Sequence, residues 1–271
     1  MPLFRRARSS KVSLPVLGTP EAGKMKSFGL PVFWATSDPD AVKGHLAAAA
    51  GLVEPGFHFA DNMFTWARND SMLDDGAFMK AWRSNTESSV DEAILWRRYI
   101  LACAGYHYVQ LPGDFVECGA YTGVGVKTVI DYVGGKEFPK TFRAYNLFVH
   151  ETSMAHHAMP GHGEALEARV RANFKDYLQV KIVSGAIPGS IVGQSPSSIA
   201  YLHIDLNEAP AEIAALDALF DRVVPGGIVI LDDYEWAGPY RSQKLAEDAW
   251  FQARGCRVIP LPAGQGIVIK R

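Results

Sequence analysis

The sequence has few cysteines, little net charge and no long apolar run, and each shortage narrows the class of protein. Three cysteines among 271 residues are odd in number and lack the spacing of metal ligands. They favour reduced thiols in a cytoplasmic protein. A formal net charge of −2 gives no global attraction to nucleic acid or to an acidic membrane. No stretch approaches the roughly 20 apolar residues of a membrane span.

Two functional signatures are also missing. Glycines at the G-x-G-x-x-G spacing and a suitably placed Tyr-x-x-x-Lys pair, which a Rossmann-type oxidoreductase or sugar epimerase needs, are not found. A Lys/Arg-aromatic stripe for nucleic-acid binding is absent as well. The basic block MPLFRRARSSK has no apolar run behind it and is not a signal peptide. We interpret it as a flexible or oligomer-clasping arm.

The remaining composition, 48% hydrophobic and 21% charged, is that of an ordinary globular protein. The pattern changes near Pro112-Gly113, which predicts an N-terminal arm and helical lid region over residues 1–112 and a second domain over 113–271. The first part shows helix signals and aromatic residues without strand alternation. Ser37 precedes one helix-like stretch, and an S-x-x-E capping box begins at Ser89.

The second part alternates between strand-like and helix-like segments. Strands are predicted at DFVECGA, FRAYNLF, QVKIVSG, SIAYLHIDL and GGIVILDDY, with helical patterns between most of them. This alternation predicts an α/β fold with a doubly wound, mostly parallel, Rossmann-like sheet. The closing segments CRVIPLP and GIVIKR are joined by only a few residues, so they must form an antiparallel hairpin.

A glycine-rich turn follows the first strand of this sheet. In VECGAYTGVG, Glu117 stands two residues before Gly119, and Gly123 and Gly125 follow. Glycines at a strand-to-helix turn let a backbone approach a ligand and leave helix N–H groups facing it. The carboxylate suits a ligand that carries an ammonium group and no pyrophosphate. A tight turn without a ligand would use the same glycines.

Acidic residues end two later strands. Asp205 and Asn207 follow one strand, and Asp232-Asp233 ends the run GGIVIL. If the two strands are neighbours, their backbones lie about 4.8 Å apart and the carboxylates face one small volume. With no cationic residue nearby in sequence, a hard cation such as Mg²⁺ would relieve their repulsion. The alternative is that Asp232 caps a turn and Asp233 is solvated.

These stretches together resemble a known family. GDFVECGAYTGVG, YLHIDLN, PGGIVILDDY and RSQKLAEDAWF…LPAGQGIVIK are similar to class I S-adenosylmethionine-dependent methyltransferases, and more narrowly to the macrocin O-methyltransferase-like family. The resemblance covers residues 112–271 and implies metal-dependent methylation of a hydroxyl on a sugar, glycan or other small natural-product acceptor. It implies metal ligands at Asp205, Asp232 and Asp233. It implies cofactor-binding residues at Glu117, Gly119, Tyr121, Thr122, Gly123, Asn146, Ser184, Gly185 and Asp205.

Two positions depart from the family pattern and leave the catalytic base open. Asn146 stands where an acid usually holds the ribose, and Asn207 where a D-x-D motif has its second acid. Asp205, Asn207 and His150 are the catalytic candidates, and the loop after the second strand also offers Glu151, His156, His157 and His162 as bases. His203, inside a strand, is interpreted as core packing. The two asparagines also leave open a lapsed methyltransferase that binds without catalysing. A homodimer is possible.

Overall fold

The computed structural model describes residues 28–29, 36–53, 57–152, 154 and 158–271. The predictions about the basic arm, and about His156 and His157, lie outside the described residues. The thiols of Cys103, Cys118 and Cys256 are free. No helix within the described ranges combines the length and the apolar character needed to cross a membrane.

Strands and helices alternate through most of the described chain. The strands are β1 (Phe28–Gly29), β2 (Phe57–Ala60), β3 (Met63–Trp66), β4 (Asp114–Cys118), β5 (Phe142–Asn146), β6 (Val180–Ser184), β7 (Ile199–Ile204), β8 (Val223–Leu231), β9 (Ile259–Pro260) and β10 (Gly266–Ile269). The helices are α1 (Pro39–Ala50), α2 (Ser71–Asp74), α3 (Gly76–Asn85), α4 (Ser89–Ala93), α5 (Leu95–Tyr108), α6 (Val124–Val133), α7 (Glu164–Asn173), α8 (Ala209–Leu219) and α9 (Arg241–Gln252).

A seven-stranded sheet in the order β6-β5-β4-β7-β8-β10-β9 forms the centre of the protein. The neighbours from β6 to β8 are parallel, and β10 is antiparallel to both β8 and β9. The predicted doubly wound, mostly parallel sheet and its terminal antiparallel hairpin are therefore confirmed. Strand order reverses at β4 and β7, and a crevice at that point is where ligands bind in such sheets.

Helices cover both faces of this sheet, which explains the continuous apolar strands. Phe115 of β4 packs with Tyr201 of β7 in one apolar cluster, and the next residue, Val116, packs with Leu202 and Leu216 in the other. Successive side chains of a strand point to opposite faces, so each strand serves both clusters. Every residue of β7 is buried as a result.

The N-terminal part differs from the purely helical lid that the sequence predicted. Strands β1, β2 and β3 form a second, three-stranded sheet in which β2 and β3 make a hairpin. The two turn residues, Asp61 and Asn62, have φ values of 52° and 55°. A two-residue hairpin turn with both residues left-handed has the twist that the flanking strands require. The helical expectation was wrong here because Asp-Asn between two aromatic segments is a hairpin signal.

The helix caps in this region lie one residue from their predicted places. Asp38, rather than Ser37, caps α1 by accepting a hydrogen bond from the amide of Ala41 at 2.9 Å. Ser88, rather than Ser89, caps α4 and pairs with Asp91. The first correction moves only the start of the helix. The second prediction, of one helix continuing from the capping box through Leu101, was wrong in extent, because α4 ends at Ala93 and a separate helix, α5, begins at Leu95.

Helix α5 joins the N-terminal part to the large sheet. The hairpin turn docks against its start, because Asp61 Oδ2 accepts a hydrogen bond from the amide of Trp96 at 2.8 Å. The helix packs against α6, β7 and β8. The division into residues 1–112 and 113–271 stays a prediction, and α5 lies in close contact with elements on the other side of it.

Candidate active site at the carboxyl edge of the sheet

The glycine-rich turn after β4 is shaped largely by packing. At Gly119, where φ is 96°, a Cβ would overlap the backbone carbonyl of Asp205. At Gly123, where φ is 82°, a Cβ would lie 2.5 Å from the ring of Phe174. Both positions therefore require glycine whether or not a ligand is bound. Gly119 also brings the ends of β4 and β7 together, which places the turn beside the acidic residues.

Asn146, predicted to bind the ribose, holds this turn through both groups of its amide. Its Oδ1 accepts a hydrogen bond from the amide of Tyr121, and its Nδ2 donates one to the Tyr121 carbonyl, both at 2.9 Å. Tyr121 has a φ of 45°, a conformation that a non-glycine residue seldom adopts. An aspartate could accept the first bond and could not donate the second. This explains the asparagine, while the ribose contact stays a prediction.

The loop after β5 folds over the same turn. The hydroxyl of Tyr121 accepts a hydrogen bond from the amide of Gly161 at 2.6 Å. The rings of His150 and His162 are stacked with centroids 5.9 Å apart, and the edge of Tyr121 meets His162 at 5.6 Å. The structure thus gathers His150 with His162 and Tyr121 beside the turn. The role of His150 as a base stays a prediction.

The other predicted cofactor residues lie in this turn or at the carboxyl end of β6. Ser184, at the end of β6, lies 2.5 Å from Glu167 Oε1, and Gly185 follows it with a φ of 125°. A cavity of about 150 Å³ with Thr122, Gly123 and Lys127 among its lining residues opens next to α6. Ser184 and Gly185 stand at the carboxyl end of β6, two strands away from β4.

The predicted approach of Asp205 and Asp232 is present. Strands β7 and β8 are parallel neighbours, and the amide of Asp232 donates to the carbonyl of Ile204 at 2.9 Å. Ligand atoms of His203, Asp205 and Asp232 all lie within 4.8 Å of one another. The interpretation of His203 as mere core packing missed this. Its spacing of two from Asp205 on a strand places both on one face, which was the available signal.

Asp232 uses both of its carboxylate oxygens on protein donors. Oδ2 lies 2.6 Å from Arg97 Nη1, and Oδ1 accepts from Gln265 Nε2 at 2.7 Å. His203 Nε2 lies 3.2 Å from the same Oδ1. Asp232 is buried, with 5% of the residue exposed, so these three partners replace the water that its carboxylate would otherwise bind.

Arg97, from α5, is the cation that sequence reasoning missed. Its Nη1 also donates to Asp233 Oδ1 at 3.1 Å, and its Nε donates to Asp61 Oδ1 at 3.2 Å. The guanidinium lies 5.4 Å from the ring centroid of Trp236. The expectation that no cation neutralises these acids was therefore wrong. Arg97 is 135 positions from Asp232, and no local pattern links them.

These contacts set the charges in the acid cluster, by which we mean Asp205, Asp232 and Asp233. Burial alone would raise the pKa of Asp232, but the charges of Arg97 and His203 outweigh it and hold that pKa well below its usual range. Burial would lower the pKa of His203, but the carboxylates of Glu117 and Asp232 raise it to about 10. Burial raises the pKa of Asp233 to about 6 against the opposing effect of Arg97. His203 is thus a second cation here.

Asp205 differs from the other two acids. No described residue forms a hydrogen bond with its carboxylate. The residue is half-buried, and burial together with the charges of Asp232 and Asp233 holds its pKa well above its ordinary value. Asn207, two positions later, has a φ of 58° at the turn into α8. Asparagine tolerates this conformation better than most residues, which gives it a structural reason at that place.

The residues present do not fit a divalent ion held by Asp205, Asp232 and Asp233. The guanidinium of Arg97 already bridges Asp232 and Asp233, and Asp232 has no carboxylate oxygen free of a donor. The imidazole of His203 lies between two carboxylates, with Nδ1 3.1 Å from Glu117 Oε2 and Nε2 3.2 Å from Asp232 Oδ1. A histidine ligand must be neutral and present a lone pair to the metal.

Glu117 connects the acid cluster to the glycine turn. One oxygen faces His203, and the other lies 3.5 Å from the place where a Cβ on Gly125 would stand. Arg98 Nη1 lies 2.6 Å from that same place, at the start of α6. The Nε of Arg98 is buried without a hydrogen-bond partner. Opposite charges from Glu117 and Arg98 therefore meet at the amino end of one helix.

Comparison with known proteins matches the sequence to a family. The model of the family described as macrocin-O-methyltransferase (TylF) matches residues 103–248, which is more than half of the chain. No curated protein sequence matches significantly.

Solved structures share the fold. The O-methyltransferase NovP is similar with a TM-score of 0.54 and 19% identity, covering 65% of this chain and 80% of that one. The S-adenosylhomocysteine-bound methyltransferase PaMTH1 of Podospora anserina is similar with a TM-score of 0.51 and 12% identity, covering 89% and 100%. The family match, on a chain with this sheet order, identifies an S-adenosylmethionine-dependent O-methyltransferase. The chain belongs to the macrocin O-methyltransferase family of class I methyltransferases.

Proposed function

We propose that the protein transfers a methyl group from S-adenosylmethionine to a hydroxyl of a sugar or another small natural-product acceptor, with Asp205 as the general base. One observation carries the proposal. Asp205 presents a carboxylate without a hydrogen-bond partner in the described chain, at the end of β7, and its backbone carbonyl lies against Gly119 of the glycine-rich turn. The family match supports methyl transfer, and the family's description supports the class of acceptor.

The cofactor's methionine end would lie at the start of α6. Its ammonium group suits Glu117, and its carboxylate suits Arg98 together with the free N–H groups of the first turn of α6. Gly119, Tyr121, Thr122 and Gly123 would form the wall of this site. Asn146, Ser184 and Gly185 would lie along the ribose and adenine. These assignments are proposals that extend the family's cofactor to this chain.

The reaction is an in-line displacement at the sulfonium. The bond between sulfur and methyl breaks while a bond between the acceptor oxygen and methyl forms, and the products are S-adenosylhomocysteine and a methyl ether. The hydroxyl proton passes to Asp205, whose pKa is raised by burial and by the charges of Asp232 and Asp233, which makes it a stronger base than an exposed carboxylate. Holding both reactants in line supplies a further part of the rate enhancement. His150 and Asn207 stay predictions as catalytic residues.

The predicted Mg²⁺ dependence also stays a prediction, and the described contacts weigh against it. A metal bound to the acceptor hydroxyl would lower that hydroxyl's pKa and fix its position. Arg97 and His203 already neutralise the acids that would hold the ion. No step of the proposed reaction depends on a metal. The cytoplasmic location and the homodimer predicted from the sequence stay predictions as well.

Calorimetry and a methyl-transfer assay test this function. We expect S-adenosylhomocysteine to bind the full-length protein, and Arg98→Met to weaken that binding about tenfold or more. Asp205→Asn should leave cofactor binding intact and lower kcat by about 10²–10⁴-fold on an accepted sugar or phenolic substrate. Glu235→Gln, on an exposed residue outside the cluster, is the matched control.

The other functional classes give different outcomes in the same experiments. Cofactor binding without transfer to any acceptor would indicate a lapsed methyltransferase. Binding of a nicotinamide cofactor, seen as a change in its fluorescence, would instead favour an oxidoreductase. Unchanged turnover in Asp205→Asn would remove Asp205 from its proposed role.

A further inference from the structure

The Nη1 atom of Arg97 lies between the two adjacent carboxylates at the end of β8. It is 2.6 Å from Asp232 Oδ2 and 3.1 Å from Asp233 Oδ1. A divalent cation shared by two carboxylates would take its place between the same two oxygens, at about 2.0–2.1 Å for Mg²⁺. One position therefore serves either the guanidinium or an ion.

The guanidinium is held in this position from its other side. Asp61 accepts from Arg97 Nε with one oxygen and from the amide of Trp96 with the other, so the hairpin turn fixes both the helix and its side chain. The Arg97 side chain is 10% exposed, and those of Asp61 and Asp232 are 0% and 6% exposed. Planar, multidentate hydrogen bonding of this kind favours arginine over lysine.

We infer that Arg97 is a tethered cation that takes the place of the divalent ion in this protein. The wild-type acid cluster binds no divalent cation, and removal of the guanidinium exposes a latent cation site at Asp205, Asp232 and Asp233. The occupant of the cluster thus comes from the N-terminal part of the chain rather than from solution. The inference concerns the same edge of the sheet as the proposed function, and its binding test does not require turnover.

The charge arrangement supports a single occupant. In the ordinary ionised state Asp61, Asp232 and Asp233 all surround one guanidinium, and His203 supplies a second positive charge to Asp232 from the opposite side. A divalent ion entering this volume would have to displace Arg97, which would then lie buried beside a like charge. Burying unpaired charge is costly, so the two cations exclude each other.

Titration with Mn²⁺, followed by electron paramagnetic resonance of the unbound ion, tests the inference on the full-length protein without cofactor or acceptor. We expect no specific binding by the wild type. Arg97→Met should bind one Mn²⁺ per chain. Its dissociation constant should be at least about tenfold lower than that of any residual binding by the wild type. The double variant Arg97→Met/Asp232→Asn should lose that binding, and Arg97→Lys, which keeps the charge, should not gain it.

Arg143→Met is the matched control. Arg143 Nε lies 3.3 Å from Asp114 Oδ2, and this pair is not part of the acid cluster. Replacing Arg143 therefore leaves one aspartate without its cation and creates no cation site. The inference is overturned if the wild type binds one Mn²⁺ that Asp232→Asn abolishes, because the cluster then holds an ion with Arg97 present. It is equally overturned if folded Arg97→Met binds none. Should Arg97→Met fail to fold without metal, refolding with Mn²⁺ supports the latent site, and the wild-type titration still decides the first claim.

Failure of this inference and failure of the proposed function have separate signatures. Wild-type methyl transfer that continues unchanged in EDTA supports the tethered cation, and transfer that EDTA abolishes and Mg²⁺ restores overturns it while the proposed function stands. Absent cofactor binding removes the proposed function and leaves the Mn²⁺ result unaffected.

Discussion

Two pairs of buried acids, one at the end of β8 and one formed by α8 and α9, avoid repulsion by different means. Asp232 and Asp233 share the guanidinium of Arg97. Glu212 of α8 and Glu247 of α9 are 2% and 1% exposed, and no cation of the described chain forms an ion pair with either. Glu212 accepts instead from Gln243 at 2.8 Å and from the amide of Leu206 at 3.3 Å.

The two pairs therefore differ in how they are kept neutral. Burial raises the pKa of Glu247 to about 7 and holds that of Glu212 well above its usual value. Protonation therefore reduces the negative charge of this pair, whereas the guanidinium of Arg97 balances the charge of the other. A charged neighbour fixes geometry independently of pH, while a proton fixes it only where the solution supplies one. Arg97 keeps Asp232 ionised near neutral pH, while Asp233, whose pKa is about 6, still gains a proton on mild acidification.

Removing the cation should produce the largest effect. Arg97→Met leaves Asp61, Asp232 and Asp233 buried with one charge missing, and we expect a loss of about 3–5 kcal/mol in the free energy of unfolding. Urea denaturation at neutral pH measures it. Arg143→Met breaks a more exposed pair and should cost about 1 kcal/mol or less. Equal losses in the two variants would show that burial does not increase the contribution of Arg97 to the free energy of unfolding.

Removing an acid from the Glu212–Glu247 pair should raise the free energy of unfolding, and only at neutral pH and above. The pKa of Glu247 rises from 4.5 to about 7 on folding, so the stability of the protonated pair is complete below pH 4.5 and is lost as pH rises through about 7. Glu247→Gln cannot ionise and should be the more stable protein above pH 7, by on the order of 2 kcal/mol. Thermal denaturation from pH 4 to 8 follows it, with the exposed Glu137→Gln as control. A pH profile identical to that of wild type would contradict the protonation of Glu247 in the folded protein.

Adding an acid at a buried position that has no neighbouring cation should lower the free energy of unfolding by an intermediate amount. Asn146→Asp places a carboxylate oxygen against the carbonyl of Tyr121 in place of a donor, at a site that is 5% exposed. We expect a loss of about 1–3 kcal/mol, measured by urea denaturation. Asn173→Asp, near the surface beside Glu87, should lose less. A stability equal to wild type would mean that the amide is not needed to hold the turn.

An exposed acid should show the smallest effect. Asp176 lies 3.4 Å from Lys136 with both side chains more than half exposed. Asp176→Asn should change the free energy of unfolding by less than about 0.5 kcal/mol, because water screens the pair. The same denaturation series measures it. A change as large as that of Asn146→Asp would show that burial is not what separates these cases.

The sequence predicted most of the sheet because the relevant signals are local. The run from Ile228 to Leu231 and the alternation of strand and helix depend on neighbours within a few positions, and both appear as expected. The approach of Asp205 to Asp232 followed from strand adjacency, which the fold class predicts. The hairpin at Asp61-Asn62 was missed even though its signal is local, because this part of the sequence was interpreted as lacking strand alternation.

The composition of the acid cluster could not be predicted in the same way. Arg97 and Gln265 reach Asp232 from sequence distances of 135 and 33 residues, and only packing decides which side chains fill that volume. His203 was visible as a strand residue two positions before Asp205, and its role depended on where its neighbours point. Asn146 shows the same limit, since the reason for its amide lies in the backbone of Tyr121.

The dependence of Arg97 on the hairpin turn bears on how this protein can be shortened or recombined. The stretch that matches the family begins at residue 103, after Asp61 and Arg97. A chimera assembled from that stretch and a foreign N-terminus would inherit the carboxylates and His203 without the guanidinium of Arg97. On the inference that Arg97 replaces the divalent ion, such a hybrid would need either a donor helix with an arginine in register or a divalent ion from the medium, and the choice of N-terminal helix would set whether the hybrid requires a metal.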